Sequence, residues 1–174
     1  MDEIIDLLDE FGNETNTSIS KKEAHQKGLW HKAIHILIIN KDKTKTLIQQ
    51  RCNEKNFYPN MWDISVGGHV SSKEDTLTSA KRELQEELGL DPNNYKLKEI
   101  ITIKEELENN NIISKEYVTI YLLESDIEIN EITLQKEEVS NIKWINKKEL
   151  NELINNNKMV PHIKEYEILN EILK

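Results

Sequence analysis

The chain has 174 residues, 37% hydrophobic and 32% charged. That is enough to enclose a full core, and one domain spanning 1–174 is expected. Thirty-two acidic residues against 23 basic ones leave a net charge of −9, and no basic stripe is present, which argues against binding to duplex nucleic acid. The single cysteine, Cys52, excludes an intrachain disulfide and fits a reducing, cytoplasmic setting. The start MDEIIDLLDE is acidic and has no signal-peptide apolar run. No stretch approaches the ~20 apolar residues of a membrane span, so no membrane partner is expected.

Taken in chain order, residues 4–8 (IIDLL) read as a first strand, with Phe11–Glu14 as turn material. Ser20 reads as the N-cap of a short helix that runs to about Gln26 and is closed by Gly28. Residues 31–39 (HKAIHILII) are nearly all apolar, the pattern of a strand buried on both faces. A polar turn over 40–45 leads to a partner strand from Thr46 to Gln50, and the long loop 51–63 carries Phe57, Tyr58, Pro59 and Trp62. Ile64-Ser65-Val66 reads as a strand end, after which Gly67-Gly68 permits a tight turn and close backbone approach. A helix is expected from about Lys73 to Leu88, with Ser72 as N-cap, Asp75 completing a variant capping box, and Gly89 as the left-handed stop. Its Leu77, Ala80, Leu84 and Leu88 form one stripe facing a core. Strands over 97–103 and 116–123 follow, joined at an Asn109-Asn110-Asn111 tip. A short strand over 142–145 and amphipathic helices over 147–155 and 163–173 complete a mixed α and β pattern.

Chemistry concentrates on the helix before Gly89. Glu83, Glu86 and Glu87 share a face beside the apolar stripe, as i, i+3 and i, i+4 like-charge pairs that cost an isolated helix about 0.2–0.5 kcal/mol each. A bound dication reverses that sign, and clustered hard oxygens with room for water and phosphate suit Mg²⁺ or Mn²⁺. Arg82 is placed to brace the carboxylates, with Glu86 one turn on and Glu74 within reach. In a chain this rich in charge, the competing reading of a Glu-rich helix is a solvated acidic face.

The full spacing separates the two readings. GHVSSKEDTLTSAKRELQEELGL places Gly68, five residues, Glu74, seven residues, Arg82-Glu83-Leu84, one residue, Glu86-Glu87, one residue, then Gly89-Leu90. This resembles the Nudix box at every fixed position. That family hydrolyses nucleoside diphosphates linked to another moiety, X, using divalent cations. The resemblance implies an α/β/α sandwich with a mixed sheet, Mg²⁺ as cofactor with Mn²⁺ as an option, and a small-molecule diphosphate substrate. It implies Glu83, Glu86, Glu87 and the Gly68 carbonyl as metal ligands, and catalytic roles for Glu83, Glu86 and Arg82.

A narrower resemblance covers about residues 3–150. KKEAHQKGLWHKAIHILIIN, LIQQRCNEKNFYPNMWDISVGGHV, EYVTIYLLES and EEVSNIKWINKKEL are similar to the branch containing type-1 isopentenyl-diphosphate isomerase and its hydrolase relatives. In the isomerase, the positions matched by His25, His31 and His69 help hold a metal. A strand histidine is more often satisfied by a hydrogen bond, so both readings of these three stand. Glu116 matches a Glu near the isomerase's substrate double bond, and lies where many Nudix hydrolases place an extra metal-binding or basic carboxylate. Its alternative is an outward residue at a strand start.

The isomerase requires a cysteine in a Ser-Val-Cys-Gly-His stretch, whereas this chain reads Ser65-Val66-Gly67-Gly68-His69. Glycine cannot replace a thiol acid or base, and the isomerase lacks an intact box. Both departures point to hydrolysis, leaving allylic isomerisation and noncatalytic nucleotide sensing as alternatives. Arg51 and Lys55 fall where the isomerase branch binds diphosphate; Arg offers a bidentate fork and Lys a mobile point charge, against the alternative of an ordinary surface pair. Trp62 and Tyr58 either line a substrate pocket or pack in the core. Glu137 and Glu138 precede the last strand and occupy a further family position for a catalytic Glu, against the alternative of a solvated loop. Residues 1–30 read as an N-terminal extension and 147–174 as C-terminal helices. Relatives of this fold commonly dimerise, which leaves a homodimer open.

Overall fold

The computed structural model describes residues 2–174. Strand β1 (Ile4–Leu8) pairs antiparallel with β2 (Glu14–Ser20). β2 is absent from the sequence expectation because ETNTSIS has no buried face; the strand is held by backbone pairing to β1. Helix α1 (Lys21–Lys27) begins and ends as expected: the Ser20 hydroxyl accepts from Glu23 N–H, and Gly28 closes it in the left-handed region.

β3 (Trp30–Ile39) is the centre of the sheet. It pairs along its whole length with β8 (Ile112–Glu124) in parallel. Its other edge is shared antiparallel by β6 (Val66–His69) and β4 (Lys45–Arg51). β4 also pairs with the short β5 (Trp62–Asp63) and with β9 (Val139–Asn146). β7 (Lys98–Asn109) and β8 run well past the expected strands 97–103 and 116–123 and meet at a two-residue turn. Asn110 and Asn111 both take positive φ there, 51° and 61°, the backbone that a twisted tight hairpin needs.

The alternation along β3 makes the layers. Ile34, Ile36 and Ile38 pack on one side against Ala80, Leu84 and Leu88 of α2 (Thr76–Leu88). Ala33, Leu37 and Ile39 pack on the other against Leu150 of α3 (Lys147–Asn155) and Tyr166 and Leu169 of α4 (Ile163–Ile172). The result is a mixed sheet between helices, an α/β/α sandwich, as the sequence implies. Burying a side chain the size of Leu84 or Leu88 stabilises the fold by about 1.5–3 kcal/mol.

Two details of α2 differ from expectation. Its N-cap is Asp75, whose carboxylate accepts from Thr78 N–H at 2.7 Å, so the helix starts at Thr76. Ser72 and Lys73 stay outside because β1 captures their backbone: Ser72 N–H donates to Ile4 O at 2.8 Å, and Lys73 N–H to Asp6 Oδ2 at 3.0 Å. Leu77, in the first turn, is 41% exposed and leaves the buried stripe.

Candidate active site

A cavity of about 960 Å³ runs along the Gly67–His69 strand, with Glu83, Glu86 and Glu87 on its wall and Glu116 further along. Gly68 and α2 meet closely. A Cβ at position 68 would overlap the Glu83 carboxyl, so glycine is what lets that carboxylate lie against the strand. Glu83 is 9% and Glu87 5% exposed. Burial pushes Glu83 up to about 7 despite the adjacent Arg82. Burial, and then the Glu83 charge, push Glu87 up to about 8. Both acids therefore ionise only at a cost that a cation in the cavity would offset.

Arg82 is the brace the spacing suggests. Its guanidinium donates to Glu83 Oε1 at 2.7 Å, Glu86 Oε2 at 3.3 Å and Glu74 Oε2 at 3.3 Å, and to the His69 carbonyl at 3.1 Å. Gln49 holds the other end of the row, donating to Glu87 Oε2 at 2.8 Å. Gln49 escaped the sequence reading because its position on β4 gives no signal of a partner 38 residues away.

The three histidines from separated segments converge on Glu116, their ligand atoms all within 4.8 Å of one another. The register makes this happen: His31 pairs with Glu116 across β3 and β8, and Ala33 with His69 across β3 and β6. Glu116 Oε1 lies 3.2 Å from His69 Nε2, 3.4 Å from His31 Nε2 and 3.9 Å from His25 Nε2. His31 donates from Nδ1 to Leu29 O at 2.8 Å, and its Nε2 is fully buried without a hydrogen-bond partner among the described residues. Burial drives His25 down to about 3 and lowers His69. Burial opposes ionisation of Glu116, but His31 and His69 outweigh it and hold the carboxyl well below its usual value. Two imidazoles biased toward the neutral form beside a carboxylate biased toward the ionised one, with the buried, unpartnered Nε2 of a third ring oriented by a carbonyl, fit what a metal requires. The outward-facing alternative for Glu116 does not hold.

Comparison with known proteins bears on what this geometry belongs to. The family model described as NUDIX domain matches residues 29–166. The chain belongs to the Nudix family. An uncharacterised Nudix hydrolase of Clostridium acetobutylicum is 36% identical over 157 residues, 89% of this chain and 75% of the relative. Nudix hydrolase 3 of Arabidopsis thaliana is 35% identical over 148 residues, 83% of this chain, but the match spans only 19% of that protein. Isopentenyl-diphosphate Delta-isomerase 2 of Photorhabdus laumondii is 34% identical over 157 residues, covering 90% of this chain and 84% of the relative. Among solved structures, DR0079 from Deinococcus radiodurans superposes with a TM-score of 0.76 at 19% identity, over 99% of this chain and 100% of that one; this is a likeness of fold.

Within the Nudix frame, the remaining predicted contacts divide. Arg51 and Lys55 both line the cavity, but each already has an anionic partner. Arg51 donates to Asp63 Oδ2 at 3.1 Å and to Phe57 O at 2.9 Å, and Lys55 is paired with Glu138. Trp62 is not on the cavity wall. It packs beside the α3–α4 core, with Lys143 Nζ 4.3 Å from its ring centroid. Tyr58 is likewise off the wall, and its neighbour Phe57 takes that place. No helix among the described residues is long and apolar enough to cross a membrane.

Proposed function

We propose that the protein hydrolyses a diphosphate linkage in a small-molecule substrate, a nucleoside diphosphate linked to X or a related diphosphate, and depends on Mg²⁺, with Mn²⁺ as a substitute. The observation that carries this reading is the buried, mutually repelling Glu83–Glu87 pair opening into a cavity beside Gly68. Glu83, Glu86 and Glu87, with the Gly68 carbonyl, would hold the cation. Bound there, it would supply Lewis acidity at the phosphoryl group.

The chain's own residues supply the rest. Arg82 fixes Glu83 and Glu86 in place and balances their charge. Arg51 and Lys55 meet the anionic substrate by exchanging carboxylate partners for phosphate oxygens, a trade that keeps both cations paired. Two kinds of group are placed to take the proton of the attacking water. Glu86, its side chain 48% exposed and held by Arg82 at 3.3 Å, is the mobile member of the box. Glu116 is the alternative, and with His25, His31 and His69 it forms a second site whose donors suit a transition-metal cation.

The test is cleavage of a diphosphate panel in Mg²⁺, read as formation of the monophosphate products. Glu83→Gln and Glu87→Gln are expected to lower turnover by ~100-fold or more, the scale on which loss of charge stabilisation acts in other sites. Near wild-type turnover in either variant would remove the assignment.

Isomerisation of an allylic diphosphate is a second reading, favoured by the histidine-ringed Glu116 and by the isomerase relatives. Gly67 offers no acid or base opposite it. Incubation with isopentenyl diphosphate in D₂O separates the two: deuterated product supports isomerisation and inorganic phosphate supports hydrolysis.

A further inference from the structure

The cavity has a second polar wall that the reaction above does not use, apart from Arg51. His35 lies opposite Gly67 in the β3–β6 register. Its ring faces the α4 side, where Nδ1 meets Glu165 Oε1 at 2.5 Å. Glu165 is fully buried and its other carboxylate oxygen has no hydrogen-bond partner. Burial opposes its ionisation, but His35 prevails and the carboxyl is held below its usual value. The hydrogen between them therefore sits on Nδ1, and Nε2 is left for something else. It has no hydrogen-bond partner among the described residues and borders the space a side chain at 67 would occupy: a Cβ there would lie 3.2 Å from the ring's Cδ2 and 3.6 Å from Nε2.

His162 stands edge-on to this ring, with centroids 4.5 Å apart. It is clamped on both nitrogens, by Glu105 Oε1 at 2.9 Å and Asp63 Oδ1 at 3.2 Å, and Asp63 is held in turn by Arg51. Ligand atoms of His35, Glu105, His162 and Glu165 fall within 4.8 Å of one another, but a metal is not what the bonding favours. Both His162 nitrogens and His35 Nδ1 already donate to carboxylates, so a cation taking these ring nitrogens would have to break the hydrogen bonds that hold them.

We propose that His35, oriented by Glu165, is a specificity-determining residue: through Nε2 it hydrogen-bonds a hydroxyl of the moiety X, and this wall of ionised and hydrogen-bonding groups rejects an apolar chain such as a prenyl group. The inference rests on the hydrolase reading and names what that site selects. Pressing a hydrocarbon against this wall would cover His35 Nε2 and return no hydrogen bond to it. Sites built to hydrogen-bond a substrate reject analogues that lack the group far more strongly than apolar pockets reject an added one. Phe57, which also lines the cavity, offers an apolar ring face of the kind a base or sugar ring requires. Glu165 acts through His35 and is a positioning residue.

The experiment compares ADP-ribose and UDP-glucose with dimethylallyl diphosphate, using wild type, His35→Leu, His35→Gln and Glu165→Gln in Mg²⁺. Wild type is expected to favour a nucleotide substrate. His35→Leu is expected to lower kcat/KM for that substrate by ~10–100-fold, mainly through KM, without loss for dimethylallyl diphosphate. His35→Gln, which keeps a hydrogen-bonding end, restores most of the discrimination, and Glu165→Gln weakens it with the same KM signature. The inference is overturned if wild type prefers dimethylallyl diphosphate, if His35→Leu alters both classes by one factor, or if metal analysis finds an ion that His35→Leu releases. Should no compound turn over, the hydrolase reading fails separately. Dissociation constants for the same three compounds in Ca²⁺ then decide the subsite by the same criteria.

Discussion

At the scale of single residues, Gly68 and Glu83 show how one missing side chain shapes the site. A methyl at 68 would meet the end of a flexible glutamate, so Gly68→Ala displaces the carboxylate at little cost to the fold. The expected outcome is a roughly 100-fold or greater loss of turnover, since a shift of about 1 Å at a reacting centre costs that much, with the melting temperature nearly unchanged. Steady-state rates beside a thermal melt check it; full activity in the variant would show that Glu83 need not lie against the strand. The spacing of the box acids and Arg82 was legible because one helix fixes it locally, whereas Gly67-Gly68, read as a tight turn, lie inside β6, where Gly68 serves only close approach. The partners of Arg51 and Lys55 were not legible. Asp63 and Glu138 reach them across the fold, 12 and 83 residues away, and nothing in the local pattern announces a charge already matched. His35 shows the same limit, with its carboxylate 130 residues further on.

At the scale of elements, the start of α2 separates two residues that sequence alone treats alike. Ser72 and Asp75 are both good caps, but only Asp75 bonds the first turn. Asp75→Ala is expected to destabilise by about 1 kcal/mol, which lowers the melting temperature by about 2–4 °C in a protein of this size. Ser72→Ala should cost clearly less. Equal effects in thermal melts would mean the helix begins earlier than described. The buried central strand, helix α2 and both C-terminal helices were legible from apolar periodicity, because each has a face that must be covered. β2 was not, since it is made by strand pairing at exposed positions; the extensions of β7 and β8 do alternate in burial, but they put polar residues such as Glu105 and Ser114 on the covered face, so hydropathy carries no signal there.

At the scale of the whole molecule, the acidic row ties stability to pH and to metal. Glu83 and Glu87 have folded-state values raised to about 7 and about 8. Their neutral forms support the fold at low pH, and that support is lost as pH rises through those values. Other buried groups titrate too, so the informative quantity is a difference. In EDTA, Glu87→Gln should gain melting temperature relative to wild type between pH 5.5 and 8.5, by roughly 2 °C or more. Mg²⁺ at pH 8 should reverse the order by stabilising wild type alone. A difference that is flat with pH and blind to Mg²⁺ would mean these acids carry no mutual burden.

The measurement that reaches the central claim most directly is anomalous diffraction from a crystal soaked in Mn²⁺. A peak coordinated by Glu83, Glu86 or Glu87 and the Gly68 carbonyl is the predicted result, and it should disappear in Glu87→Gln. Carboxylates left pointing into solvent, with manganese bound only among His25, His31, His69 and Glu116 or nowhere, would contradict the account.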